Sequence, residues 1–164
     1  MSIVLDGSNV NTVGVPNLGT AQASTSGTAI TFTSIPSGTK RIIVMFNGMS
    51  TSGTSSIQIQ IGSGSVTTSG YVSGSAYNSV QTNVTSGFIV AAGFAAVDTI
   101  SGTMVLTLVG SNSWIASGTN NANGGVTRIC AGVGSIGGVL DRVVVTTVNG
   151  TDTFDAGSIN IQYE

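Results

Sequence analysis

The sequence is poor in charge and contains no histidine. Of 164 residues, four are Lys or Arg and six are Asp or Glu, so 6% of the chain is charged against about 25% in an ordinary soluble domain. Without histidine there is no Ser-His or Cys-His pair, and the most common general base of enzymes is missing. The single cysteine, Cys130, cannot form a disulfide within the chain, and one cysteine without histidine does not make the usual kind of zinc site.

The shortage of cations also limits the partners that the chain can bind. The basic residues are Lys40, Arg41, Arg128 and Arg142, scattered along the sequence. Nucleic-acid affinity depends mainly on phosphate contacts, and membrane surfaces are bound through clusters of basic residues. We therefore expect neither nucleic acid nor a membrane as a partner. The longest apolar stretch, residues 88–97, is also far shorter than the roughly 20 residues of a membrane-spanning helix.

Small polar and β-branched residues dominate what is present. The chain has 24 Gly, 23 Ser and 22 Thr, and Val and Ile together outnumber Leu seven to one. Glycine and β-branched side chains disfavour helices, whereas disorder is typical of chains with low hydrophobicity and high charge. The composition therefore predicts an all-β protein, and the length fits one domain.

Alternation of apolar and polar residues marks individual strands. Residues 57–61 and 159–163 alternate with a period of two, and turn signals such as Asn47-Gly48 and Asn149-Gly150 separate segments of this kind. We expect a single antiparallel β-sandwich over residues 20–164, jelly-roll-like, with eight to ten strands between Ala29 and Glu164.

Two apolar runs are continuous instead of alternating. Ile42–Phe46 and Val143–Val145 predict strands covered on both faces, by a second sheet and a neighbouring subunit. Residues 88–97 could form a short helix in place of a strand, although Gly93 disfavours a helix there.

Residues 1–19 differ from the rest and are expected to form an extended N-terminal arm. The apolar triplet Ile3, Val4 and Leu5 is isolated from the other apolar segments, and it is our candidate docking strand for addition to another sheet. A frayed terminus is the alternative. The first ten residues lack the basic and apolar regions of a secretory signal, so we expect synthesis in a reducing cytosol.

Few residues suggest chemistry. Residues 132–137 match the spacing of a dinucleotide-binding glycine loop, but the strand-like run after them leaves no room for the helix that this site requires. Asp152 and Asp155 are a close pair of carboxylates, which we interpret as turn-shaping in preference to a calcium or glycosidase site. We expect Cys130 to be a small buried apolar residue. No metal, cofactor or catalytic residue is predicted, and an enzyme is the weakest of the functional alternatives.

Three aromatic residues lie among Ser, Gly and Asn. Tyr71 and Tyr77 could present a ring to a sugar or a protein partner, or could close the ends of the sandwich. Trp114 is expected in the core. If Tyr71 or Tyr77 is exposed, a carbohydrate-binding module is the alternative function.

Four segments resemble a domain that recurs in virion proteins of tailed bacteriophages, often at the distal end of tail fibres. The two long ones, residues 35–55 and 147–161, are IPSGTKRIIVMFNGMSTSGTS and TVNGTDTFDAGSINI; the short ones are GTMVLTLV at 102–109 and SWIASG at 113–118. The resemblance covers residues 20–164. It implies a non-enzymatic β-sandwich displayed on a particle, usually as a homotrimer.

The N-terminal segment departs from the fibre proteins, in which a long stalk precedes this domain. A short arm fits a separately encoded capsid decoration, cement or adaptor protein better. The resemblance therefore predicts partners among the capsid or tail proteins and a location on the virion surface. A tail-fibre module that binds a host surface glycan stays as the alternative.

Overall fold

A computed structural model describes residues 15–123 and 125–164, which form fourteen strands and no helix. The strands are β1 (Asn17–Leu18), β2 (Gln22–Ala23), β3 (Ala29–Phe32), β4 (Arg41–Thr51), β5 (Ile57–Ser63), β6 (Ser65–Val66), β7 (Val72–Tyr77), β8 (Val80–Val84), β9 (Phe88–Ala91), β10 (Ile100–Gly110), β11 (Ser113–Ala122), β12 (Val126–Ser135), β13 (Arg142–Thr147) and β14 (Phe154–Tyr163). Twelve of these lie beyond residue 28, so the expected eight to ten was too few. Strands as short as β6 and β9 contain too few residues for a visible alternation.

The strands form two antiparallel sheets. The nine-stranded sheet has the order β1-β14-β4-β10-β11-β12-β7-β8, with β2 also paired to β14. The five-stranded sheet has the order β3-β13-β5-β6, with β9 also paired to β5. One shared core contains Leu106 and Trp114 from the larger sheet and Ile59 and Val145 from the smaller. The all-β, antiparallel prediction is confirmed, and the arrangement is consistent with a β-sandwich.

The alternating segments bury the side chains that the pattern indicates. Ile57, Ile59 and Ile61 of β5 are fully buried, as are Ile159 and Ile161 of β14. In β5 the intervening Gln58 and Gln60 are buried as well, so the alternation there does not mark a face open to solvent. Burial of each such side chain contributes about 1.5–3 kcal/mol to folding.

The two continuous runs behave differently from each other. Val143–Val145 is buried on both faces within the single chain, as predicted. In Ile42–Phe46, the residues Ile43 and Met45 are only half-buried, on the side away from the core. Two-sided coverage of β4 is therefore not present within one chain.

The helix alternative for residues 88–97 is wrong, in agreement with the signal from Gly93, and the turn signal at Asn47-Gly48 is wrong as well. Residues 88–97 contain no helix: β9 ends at Ala91, and Gly93 follows with φ +63°. Asn47-Gly48 does not close a hairpin but lies inside β4, where Gly48 (φ +62°) forms part of a bulge opposite Gly157 of β14. Asn149-Gly150 does form a turn, with a hydrogen bond from the Gly150 N–H to the Thr147 carbonyl (3.1 Å).

The N-terminal part of the domain begins earlier than expected. β1 pairs with Gln162 and Tyr163 of β14, and β2 pairs with Ser158 and Ile159. The chain from Asn17 onward is thus part of the sheet, although residues up to 19 were assigned to the arm. The candidate docking strand Ile3, Val4 and Leu5 lies outside the described residues.

Candidate functional site

Tyr71 is part of the core and offers no ring to a ligand. Its side chain is 1% exposed and meets the Phe88 ring edge to face, with the ring centres 4.9 Å apart. The Tyr71 hydroxyl accepts a hydrogen bond from the Ile61 backbone N–H (3.0 Å) and donates to the Thr67 carbonyl (3.0 Å). Because the ring is buried, a sugar-stacking role for Tyr71 is wrong. The whole side chain can be buried because its hydroxyl has hydrogen-bond partners inside the sandwich. Trp114 is in the core, as predicted.

Tyr77 is half-buried, and one face of its ring is occupied. The guanidinium carbon of Arg128 lies 4.8 Å from the ring centre, and the ring also packs against the backbone at Gly93. The ring is thus engaged with Arg128, which limits the area that it could offer to a sugar.

The residues whose side chains or spacing suggested chemistry lie in a turn, in strands or in the core. Asp152 accepts hydrogen bonds from the Ser55 backbone N–H (3.0 Å) and the Asn149 side-chain amide (2.7 Å), so it shapes a turn as predicted. Asp155 is exposed on β14, so its assignment to a turn is wrong. Residues 132–135 lie in β12 and lead into no helix, and Cys130 is buried. Within residues 15–123 and 125–164, no three His, Cys, Asp or Glu side chains are grouped so that they could hold a metal ion.

The most distinctive surface is the side of β7, β8, β10, β11 and β12 that points away from the core, which we call the outer face. It carries exposed apolar side chains, among them Val72 (70% exposed), Ile129 (62%), Ile115 (47%) and Val133 (41%). Ile115 pairs with Val133, and Val133 pairs with Val72. These three side chains therefore form one apolar row across three neighbouring strands, which a monomer would leave in contact with water.

The outer face carries no charge. The only charged residue in its five strands is Arg128, which points inward and is 1% exposed. Arg128 donates from Nε to the Ala92 carbonyl (2.9 Å) and from Nη2 to the Gly93 carbonyl (3.1 Å). Its charge is thus used to hold the segment after β9 and does not reach the outer face.

A groove of about 690 Å³ runs along the outer face over β7, β8 and β12. At its centre Gly74 pairs with Ala131, and neither residue has a large side chain. Larger side chains, among them Val72 and Ile129, line it on either side. The groove is therefore a consequence of small residues aligned between larger ones.

The two edges of the nine-stranded sheet differ. At one edge β14 is covered by β1 and β2, whereas β8 ends the sheet at the other. The β7–β8 hairpin closes through Asn78 and Ser79, both with positive φ, so Tyr77 and Val80 form its first hydrogen-bonded pair. The backbone N–H and C=O groups of Gln81 and Asn83 consequently point away from β7. Nothing in the described part of the chain pairs with that side of β8.

The outer face was not predicted from the sequence. In β12, apolar side chains occupy both faces, with Ile129 and Val133 outside and Cys130 inside. Apolar residues on both faces also led to the expectation that Ile42–Phe46 is covered on both sides. In β12 the same signal is interrupted by glycines, so coverage of its outer side was not predicted. The outward position of Val72 depends on the register with β12, which the sequence does not indicate.

Comparisons with known proteins identify no relative. No family model matches the chain, and searches of curated proteins and of solved structures each found no match. The described ranges also contain no helix with the length and apolarity to cross a membrane.

Proposed function

We propose that this chain is a non-enzymatic structural protein of a bacteriophage virion surface, a jelly-roll-like homotrimer of the capsid-decoration, cement or fibre type. It is made in the host cytoplasm and joins other capsid or tail proteins on the particle. The observation that supports it most is the outer face, which is apolar and free of charge. Contiguous exposed apolar surface on a soluble protein is characteristic of an interaction site.

The outer face suits association between identical subunits. Five strands spaced by about 4.8 Å and about nine residues at 3.4 Å give a face of roughly 700 Å², close to the 800 Å² or so that each partner contributes to a stable interface. Its Ser, Thr and Val side chains lose little rotamer entropy on burial. Because the outer face presents no charged side chain, it adds no charge repulsion between two copies that meet there.

The bacteriophage assignment comes from the resemblance of four segments, and their positions in the fold support treating them as one unit. They contain β4, most of β10, most of β14 and the first part of β11. These strands are consecutive neighbours in the order β14-β4-β10-β11. Segments far apart in sequence thus build one continuous half of the nine-stranded sheet.

Light scattering on the purified protein tests the self-association. We expect a mass of three times the 16.3 kDa chain, reduced by Ile129→Lys or Val133→Lys because each places a charge on the outer face. Val97→Lys is the matched control, since Val97 is 81% exposed on a loop outside this face. A monomeric wild-type protein, or equal dissociation by the control, would contradict the proposal. Labelled antibodies in electron micrographs of phage particles then test the location.

A further inference from the structure

We infer that the open edge of β8 binds Ile3, Val4 and Leu5 of a neighbouring copy of this chain, which add to the sheet as an extra strand. This rests on the self-association proposed above and adds to the outer face a second contact between subunits, made by a named segment and a named edge. The edge is suited to strand addition because the Gln81 and Asn83 backbone groups point outward, as the β7–β8 pairing requires.

The residues of β8 do not protect it against pairing. Natural edge strands are commonly blocked by charged side chains, proline or a bulge. Residues 80–84 are Val, Gln, Thr, Asn and Val, and they pair with β7 without a register shift. An unprotected, regular edge is the kind that pairs with another strand.

The groove lies beside this edge and matches the arm in chemistry. It is lined by apolar residues such as Val72 and Val133. In a strand, side chains alternate between faces, so Ile3 and Leu5 would lie together on one side of the added strand and Val4 on the other. Whichever side of the added strand continues the outer face, that side carries apolar side chains, either Ile3 and Leu5 or Val4.

Distance favours a neighbour over the same chain as the source of the strand. Residue 15 lies just before β1, seven strand positions from β8, which is about 34 Å at 4.8 Å per strand. The ten residue steps from Leu5 to Val15 span at most about 34 Å. The arm would reach its own β8 only as a straight chain without slack. A copy placed with its β8 beside this β1 edge is much closer.

Such a contact joins two different edges and repeats from subunit to subunit. Each copy donates its arm at the β1 edge and receives one at β8. A head-to-tail contact of this kind closes into a ring when the rotation between subunits permits it, and three copies fit the proposed trimer.

Full-length variants test the inference through their mass in solution. The double variant Ile3→Asp and Leu5→Asp, and separately Asn83→Pro, should convert the trimer into monomers. Proline at position 83 removes an N–H that points outward and leaves the bonds to β7 in place. Asn83→Thr keeps that N–H and should remain trimeric. Fluorescence of Trp114, the only tryptophan, shows whether each variant is folded.

Cysteine cross-linking identifies the occupant directly. Single cysteines at position 3, 4 or 5 are mixed with chains carrying cysteine at position 81 or 83, while the buried Cys130 stays unreactive. We expect a disulfide-linked pair only when both kinds of chain are present. Cross-linking of the position-83 variant with itself would show that two β8 edges pair, and would overturn the assigned occupant.

The remaining outcomes separate this inference from the proposed function. A trimer that survives both the arm variant and Asn83→Pro, with no cross-link between arm and β8, overturns the inference and leaves self-association standing. A wild-type monomer overturns both.

Discussion

Arg128 and Tyr77 are stacked, with the guanidinium carbon of Arg128 4.8 Å from the centre of the Tyr77 ring. The same guanidinium donates to the carbonyls of Ala92 and Gly93. It thereby connects β12 and β7 to the segment after β9. A buried cation is costly unless its donors are satisfied, so this arrangement makes Arg128 a structural residue.

Replacing Arg128 by lysine should destabilise the protein. An ammonium group cannot reach both carbonyls in the forked geometry of a guanidinium, and loss of a hydrogen bond to a charged group costs about 1.5–3 kcal/mol. We expect Arg128→Lys to lower the free energy of unfolding by about 2 kcal/mol, measured by urea denaturation. Arg142→Lys is the control, because Arg142 binds the adjacent Asp141 at the surface and should matter little. Equal effects of the two changes would refute a special role for Arg128.

Removal of the Tyr71 hydroxyl should leave a buried backbone group without a partner. The Ile61 N–H donates to this hydroxyl, and an unsatisfied buried donor costs about 1–3 kcal/mol. We expect Tyr71→Phe to lower the free energy of unfolding by that amount. Tyr163→Phe, at a half-buried ring near the end of the chain, should change it by less than about 0.5 kcal/mol. Comparable losses in both would argue that the hydroxyl of Tyr71 is not important.

The free energy of unfolding should decrease at alkaline pH because of ionisation of the Cys130 thiol. Burial raises the pKa of the Cys130 thiol above its ordinary value of 9.0, while hydrogen bonds with Ser75 and Asn120 oppose this more weakly. Above about pH 9, the unfolded chain loses the thiol proton and the folded chain keeps it, so the unfolded state is favoured as pH rises. Unfolding free energies measured from pH 7 to 10.5 should show this decline.

The contribution of Cys130 can be separated from that of Tyr71. Burial likewise raises the pKa of Tyr71 above its ordinary value of 10.0, so its effect begins at higher pH. Cys130→Ala should flatten the decline between about pH 9 and 10, and Tyr71→Phe should flatten it above about pH 10. An unchanged profile for Cys130→Ala would show that the thiol is not the group responsible.

The bulge between β4 and β14 predicts unequal effects of alanine at two glycines. Gly48 and Gly157 both have positive φ, but a Cβ at Gly48 would meet open space, whereas one at Gly157 would collide with the backbone at Gly48 and Asn47. Gly48→Ala should cost only the conformational strain, about 1 kcal/mol. Gly157→Ala should cost at least about 2 kcal/mol more, because the collision is added. Thermal denaturation compares them, and similar melting temperatures would contradict the bulge geometry.

Properties that depend on neighbours along the chain could be predicted from the sequence. The pleat of a strand has a period of two, so the alternation at residues 57–61 and 159–163 identifies buried side chains without knowledge of the fold. The excess of glycine and β-branched residues likewise predicts an all-β chain, and the scarcity of charge predicts a weakly charged surface. Even the turn at Asn149-Gly150 is recognisable, because its geometry involves only four residues.

The tertiary structure decided everything that depends on residues far apart in sequence. Asn47-Gly48 is a bulge and not a hairpin because β4 continues alongside β14, where Ser50 pairs with Ala156. Tyr71 can be buried because its hydroxyl forms a hydrogen bond with the backbone of β5.

The outer face has the same origin. Its apolar row exists because Ile115, Val133 and Val72 come into register from three strands. The edge of β8 is open because no further strand in residues 15–123 and 125–164 pairs with it. The local pattern indicates which residues can form strands and turns. Which strands become neighbours, and which face and edge stay uncovered, depends on long-range pairing.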